Sequence, residues 1–253
     1  MRDSGQLDLE VHNRRQRRYF EGALKPTMVP RDSRYLRRQA EEALRFADIR
    51  PGERVLEVGC GMGRYTLILA GQNIRVEGLD LSPVLLDRLR AYNRGRFEIP
   101  LYCADVKNFP RELEGSFDAV LGFFVLHHIK DLDNSFRAIA RLLKPEGRMV
   151  FVEPNAYNPL FYLQIFFSPG MSWEGDSGVS RMRPGVVFPA MGRAGLSRLG
   201  LARFGLFPPF VANMSWGAAL EARLERVPAL SKWLAFQLFR AERIDNPVHF
   251  FLR

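Results

Sequence analysis

The chain has 253 residues, 37 Lys and Arg against 28 Asp and Glu, a formal charge of +9 and two cysteines. That length suits one α/β domain with elaborations, large enough to bury a core unaided, and two cysteines exclude a disulfide framework and favour a reducing, cytoplasmic setting. The longest apolar runs, 119–126 and 159–167, fall short of the roughly 20 residues of a membrane span, and no signal-peptide core opens the chain, so a soluble protein is expected.

The charge is uneven: +4 over 1–50, zero over 51–155 and +5 over 156–253. Such flanks attract phosphates, an acidic substrate or an anionic membrane surface. The alternative is that Arg, at 32 residues against 5 Lys, merely solvates helix faces. Residues 1–20 end in a basic, aromatic cluster from His12 to Phe20, which reads either as a first helix docked by Tyr19 and Phe20 or as a lid over a ligand. Asp32 or Ser33 caps a helix over 34–47, whose Leu36, Ala40, Ala43, Leu44 and Ala47 share a stripe.

After the turn Arg50-Pro51-Gly52, the run Val55-Leu56-Glu57-Val58 has the character of a buried parallel strand and breaks into Gly59, Gly61 and Gly63. Strand, tight turn and helix follow directly, and the missing Cβ atoms make the turn a seat for a cofactor. A dinucleotide fingerprint wants its third glycine at position 64, where Arg64 stands. A helix over 65–72 leads to a strand over 74–79 ending at Asp80. A carboxylate there, about 20 residues past the glycines, accepts hydrogen bonds from ribose hydroxyls. Its other reading, a helix N-cap, belongs as readily to Ser82.

A helix over 85–92 and a strand over 101–106 carrying Asp105 come next. The fourth strand, 116–122, runs into Phe123-Phe124-Val125-Leu126-His127-His128-Ile129. Asp131 or Asp133 then caps a helix over 135–143, Lys144-Pro145-Glu146-Gly147 stops it, and a fifth strand covers 149–153. This alternation predicts a right-handed, mostly parallel doubly wound sheet. Cys60 and Cys103 read as small buried hydrophobes.

The segments 55–63, 78–82, 104–106, 117–120, 126–129 and 141–147 together resemble, in order and spacing, the class I S-adenosylmethionine (SAM) methyltransferases. The likeness is to the small-molecule family that includes ubiquinone, menaquinone and natural-product enzymes. Glu146 departs mildly from that family's usual Lys-Pro-Gly-Gly. The resemblance implies an α/β, Rossmann-like, seven-stranded sheet, mostly parallel with a C-terminal antiparallel hairpin strand. It also implies SAM as cofactor, held by Glu57, Gly59, Cys60, Gly61, Gly63, Asp80, Leu81, Ala104, Asp105, Val106, Gly122 and Phe123. Asp105 takes the adenine amino group in that pattern, and the Val106 N–H meets a ring nitrogen; a surface turn acid is the other reading of Asp105.

The acceptor must arrive over the carboxyl ends of strands four and five. Phe124, Asn155, Tyr157, Phe161 and Arg181 are candidate acceptor contacts, and His127 or His128 is a candidate general base or orienting group, although an imidazole at such a turn also serves simply to bond a carbonyl. The aromatic run 155–167 reads as a short helix, stopped at 168–170, that lids an apolar pocket, completes the core, or rests on a membrane surface. Gly122-Phe123-Phe124-Val125 is not the Asn/Asp-Pro-Pro-aromatic motif of amino-methylating nucleic-acid enzymes, and no Cys is placed as a cytosine nucleophile, so no DNA substrate is expected. Asp131 and Asp133 read as caps, and no metal is expected.

Beyond 171 a polar loop over 173–183, a helix over 188–199, a strand over 202–206, helices over 216–226 and 229–234, and a last strand over 236–244 are expected. The domain plan is one unit: a 1–33 lid or extension, a 34–155 cofactor core, a 156–184 lid insertion and a 185–253 completion of the sheet. The favoured function is SAM-dependent methyl transfer to a small apolar or aromatic metabolite, at oxygen before carbon, by a monomer or homodimer. The alternatives are an RNA-binding SAM methyltransferase and a non-catalytic SAM-binding regulatory module.

Overall fold

The apolar run after Arg54 becomes β1 (Arg54–Val58), which pairs in parallel with β2 (Arg75–Asp80) on one side and β4 (Phe117–Phe123) on the other. The computed structural model describes residues 4–22, 27–167 and 177–244. Around β1 the sheet extends through β3 (Leu101–Cys103), β5 (Leu143–Pro154), β6 (Leu196–Phe204) and β7 (Phe236–Arg243), in the order β3-β2-β1-β4-β5-β7-β6. The first five strands are parallel, and β7 runs antiparallel between β5 and β6. The seven-stranded, mostly parallel sheet with its antiparallel C-terminal hairpin is the expected fold.

The helices are α1 (Ser4–Glu21), α2 (Arg34–Phe46), α3 (Thr66–Gly71), α4 (Pro83–Asn93), α5 (Leu132–Leu142), α6 (Pro159–Phe167), α7 (Pro184–Arg193), α8 (Pro209–Ala212) and α9 (Ser215–Leu224). Ser33, Ser82 and Asp131 cap α2, α4 and α5 with side-chain oxygens that accept from Leu36, Leu85 and Asn134 N–H groups. Alternate strand residues feed two cores. Leu56, Val120, Phe151 and Phe239 pack with Phe136 and Met191 on one face. Val55, Leu121, Val150 and Leu238 pack with Ala40, Ala43 and Leu69 on the other. Every central strand is thus covered on both faces, as a parallel sheet requires.

Several boundaries differ from the sequence reading. The helix expected over 188–199 is α7, starting at Pro184 and ending at Arg193; Gly195, at φ +79°, turns the chain and β6 begins at Leu196. The helix expected over 229–234 is a 3-10 turn, Pro228–Trp233. Cys103 is exposed, not buried, because β3 is an edge strand, whereas Cys60 is buried as expected. Glu146 stands at φ +60°, a left-handed conformation that suits the glycine usual in the resembled family. The stop at 168–170 and the 173–176 part of the polar loop lie outside the described residues. Among the described residues, no helix is long and apolar enough to cross a membrane.

Candidate functional site

The glycine turn leaves β1 with φ of +73°, +51° and +86° at Gly59, Gly61 and Gly63, where a side chain is strained. A Cβ at Gly59 would overlap the Val125 side chain, and one at Gly63 would lie 2.7 Å from Leu89 Cγ, while Gly61 faces open space. Gly59 N–H and Cys60 N–H donate to Leu79 O at 2.8 and 3.2 Å, pinning the turn to the end of β2. Asp80 secures the same turn: its Oδ2 accepts from Gly61 N–H at 2.8 Å and its Oδ1 from Ser82 N–H at 2.9 Å. Burial raises the Asp80 pKa against these backbone donors, which lower it.

Glu57 lies behind the turn, 2 % exposed, with Thr66 Oγ1 donating to its Oε2 at 2.6 Å. Burial pushes its carboxyl from the ordinary 4.5 up to about 8, opposed by that hydrogen bond. A carboxyl raised in the folded state contributes stability in full below its unfolded value, and loses it as pH rises through its folded value. Thermal unfolding should therefore show stability falling from about pH 5 to about pH 8. Glu57→Gln, which cannot ionise, should flatten that part of the curve.

The turn forms one end of a cavity of about 670 Å³, within the range of roughly 300–1,000 Å³ typical of small-molecule sites. It brings together Glu57, Gly59, Cys60, Gly61, Asp80, Leu81, Ala104, Asp105, Val106, Phe123, Phe124, His127, His128 and Phe161. Phe124 adopts φ +56°, an uncommon conformation for a bulky residue, just where β4 ends, and its ring lies against Phe236 at 5.5 Å between centroids. Tyr65 stacks on Phe123 at 4.2 Å and its hydroxyl donates to Gln39.

Five residues named from the sequence do not line the cavity. Gly63 seats Leu89, and Gly122 makes room for the Phe151 ring. Asn155 is fully buried and donates to Lys232 O and Leu234 O at 3.1 and 2.8 Å, clamping the hairpin to β5. Tyr157 faces out between the Arg183 and Arg203 guanidiniums, 5.8 and 5.7 Å from its ring. Arg181 donates to Ile129 O at 3.0 Å and Lys130 O at 3.3 Å, bracing the loop that carries the histidines.

Glu153, at the carboxyl end of β5, escaped the sequence reading. It is fully buried; its Oε1 accepts from Val125 N–H and Leu126 N–H at 2.9 and 2.7 Å, and its Oε2 lies 2.6 Å from His127 Nδ1. An ionised carboxylate only accepts, so Nδ1 carries the proton and a neutral His127 keeps its lone pair on Nε2. The signal was available, since ligands collect at the carboxyl ends of parallel strands. Gly178 abuts the same loop: a Cβ there would overlap the His127 carbonyl. Gly178→Ala should therefore destabilise the fold by about 1–3 kcal/mol, read by denaturant unfolding.

α1 crosses the cavity. Asn13 Nδ2 donates to Asp105 Oδ2 at 2.7 Å, His12 Nε2 donates to His128 O at 2.9 Å, and Glu21 accepts from Ser82 Oγ at 2.6 Å. Phe20 meets the His128 ring edge-on at 4.9 Å. Asp105 also accepts from Lys107 N–H at 2.9 Å. Among the described residues, no group of three His, Cys, Asp or Glu is placed to hold a metal ion.

The sheet order and the glycine turn at its centre make a Rossmann-like fold. Residues 56–151 match the family model described as a methyltransferase domain. The chain is 34 % identical over 115 residues to a ubiquinone biosynthesis O-methyltransferase of Xanthomonas oryzae pv. oryzae, covering 45 % of this chain and 48 % of that protein. It is 29 % identical over 133 residues to a demethylmenaquinone methyltransferase of Bacillus cytotoxicus, covering 50 % and 55 %. The chain thus spans about half the length of the curated relatives it matches. Among solved structures, the geranyl diphosphate C-methyltransferase of Streptomyces coelicolor A3(2) superposes with a TM-score of 0.58 at 17 % identity, over 92 % of this chain and 98 % of that one. The cyclase SpnF superposes at 0.59 with 20 % identity, over 82 % and 80 %. At such identities the likeness is one of fold.

Proposed function

We propose that the protein transfers a methyl group from SAM to a small apolar or aromatic acceptor, at oxygen in preference to carbon. One observation carries this reading: a single cavity has the glycine turn, Asp80 and Asp105 among its walls, together with Phe124, Phe161, Phe207, Phe236 and His127. The names of the quinone relatives favour a hydroxylated ring. SAM, when bound, supplies a methyl group on a sulfonium that is already an activated leaving group.

Every other task falls to the chain. Asp80, fixed by two backbone donors, keeps lone pairs for the ribose hydroxyls. Asp105 is the acceptor for the adenine amino group; the Asn13 amide now donates to it, so α1 is a lid whose amide yields to the nucleoside. The chain's other chief contribution is to hold the acceptor hydroxyl in reach of the methyl group and to remove its proton. His127, oriented by Glu153, is the base for that proton.

The test is to bind SAM to the purified chain by calorimetry, then supply it with catechols, demethylated quinols and prenyl diphosphates. Formation of S-adenosylhomocysteine with an O-methyl product supports the reading. A C-methyl product corrects the atom; cofactor binding without turnover on any acceptor favours the regulatory module, and salt-sensitive RNA binding with RNA methylation favours the RNA enzyme.

A further inference from the structure

Between the end of β6 and the start of β7 the usual arrangement of a surface helix is turned inside out. On α9 the buried positions are Gly217 and Glu221, while Trp216, Leu220 and Arg223, spaced i, i+4 and i+7, form the outward stripe. Trp216 is 59 % exposed, Phe210 on α8 71 % and Trp233 on the 3-10 turn 48 %. Met214 and Val227 add to the same exposed set.

The charges are sorted the opposite way. Segment 206–233 contains two carboxylates, Glu221 and Glu225, and both point inward. Glu221 pairs with Arg38 and accepts from Leu206 and Phe207 N–H groups at 2.6 and 2.7 Å. Glu225 pairs with Arg38 at 2.5 Å and accepts from Gly205 N–H at 2.6 Å. The cations of the segment, Arg223, Arg226 and Lys232, stay at the surface. Large apolar and aromatic side chains ringed by cations, with the anions withdrawn, complement an anionic lipid interface: the rings enter the headgroup region and the cations reach lipid phosphates.

We propose that this face, formed by α8, α9 and the 3-10 turn, seats the protein on an anionic bilayer surface. It adjoins the cavity mouth. Leu206, Phe207, Pro208 and Pro209 line the cavity, and Phe210 is the next residue. Asn158 Nδ2 donates to Trp233 O at 2.7 Å, which joins the exposed Leu160 and Leu163 of α6 to the patch. On the function proposed above, an apolar acceptor passes from lipid to cavity with little exposure to water; the docking itself does not depend on that function.

The experiment uses the full chain with vesicles of phosphatidylcholine alone or with about a third phosphatidylglycerol, read by flotation and by quenching of tryptophan emission with brominated lipid. Partitioning into the anionic vesicles, weakened by salt, is expected. Phe210→Ser with Trp216→Ser, and separately Arg223→Glu with Arg226→Glu, should each lower partitioning about tenfold or more. SAM affinity and the melting temperature serve as controls for an intact fold and should not change. No binding to anionic vesicles, or equal binding by parent and variants, overturns the proposal. So does a concentration-dependent dimer in light scattering that the same variants dissolve, since the occupant is then a second copy. A chain that docks on vesicles without binding SAM sinks the enzymatic reading and leaves this one standing.

Discussion

Asp80→Ala is expected to bind SAM at least about a hundredfold more weakly than the parent by calorimetry, because each hydrogen bond to a charged acceptor contributes about 1.5–3 kcal/mol and two ribose hydroxyls lose theirs together. The substitution also releases Gly61 N–H and Ser82 N–H, so the turn itself loosens. Asp80→Asn separates the two effects poorly, since its amide nitrogen must face one of those backbone donors. Asp105→Ala, by contrast, leaves the glycine turn untouched, because the Asp105 carboxylate bonds Asn13 and Lys107, and should cost only the adenine contact. Parental affinity in both variants would remove the cofactor assignment altogether.

The second large effect concerns turnover. Glu153→Gln preserves an oxygen for the Val125 and Leu126 N–H groups but turns an amide donor toward His127 Nδ1. The imidazole then places its proton on Nε2, and the base becomes a donor. Loss of a positioned base lowers turnover by about 10²–10⁴-fold, so Glu153→Gln and His127→Gln should both fall in that range with SAM affinity unchanged. Nitrogen-detected NMR of the ring reports the tautomer independently of the acceptor. His128→Gln should fall less, because that ring packs between Phe20 and His127. Glu153→Gln turning over at the parental rate, with its ring tautomer switched, would remove His127 from the chemistry.

Much of the site was legible because its parts are local. Gly59, Gly61 and Gly63 announce a strand-to-helix turn through the backbone they permit, and Asp80 follows from the length of one strand-helix-strand unit. The acceptor side was less legible. Tyr157 and Arg181 look like pocket residues in the chain, yet the first lies between two guanidiniums and the second bonds carbonyls. Short-range pattern tells which residues are polar or aromatic, not which of several nearby surfaces they meet.

The amino-acid sequence by itself determined the parallel core from β1 to β5 and the glycine turn, and narrowed the caps of α2 and α5 to Asp32 or Ser33 and Asp131 or Asp133, since each depends on residues a few positions apart. Only the tertiary structure decided that Glu153 orients His127, that Asn13 reaches Asp105, and that Arg38 draws Glu221 and Glu225 inward while Trp216 faces out. Those pairings join residues 26, 92 and up to 187 positions apart. Contacts of that span are set by how packed layers bring distant segments together, and local propensity carries no record of them.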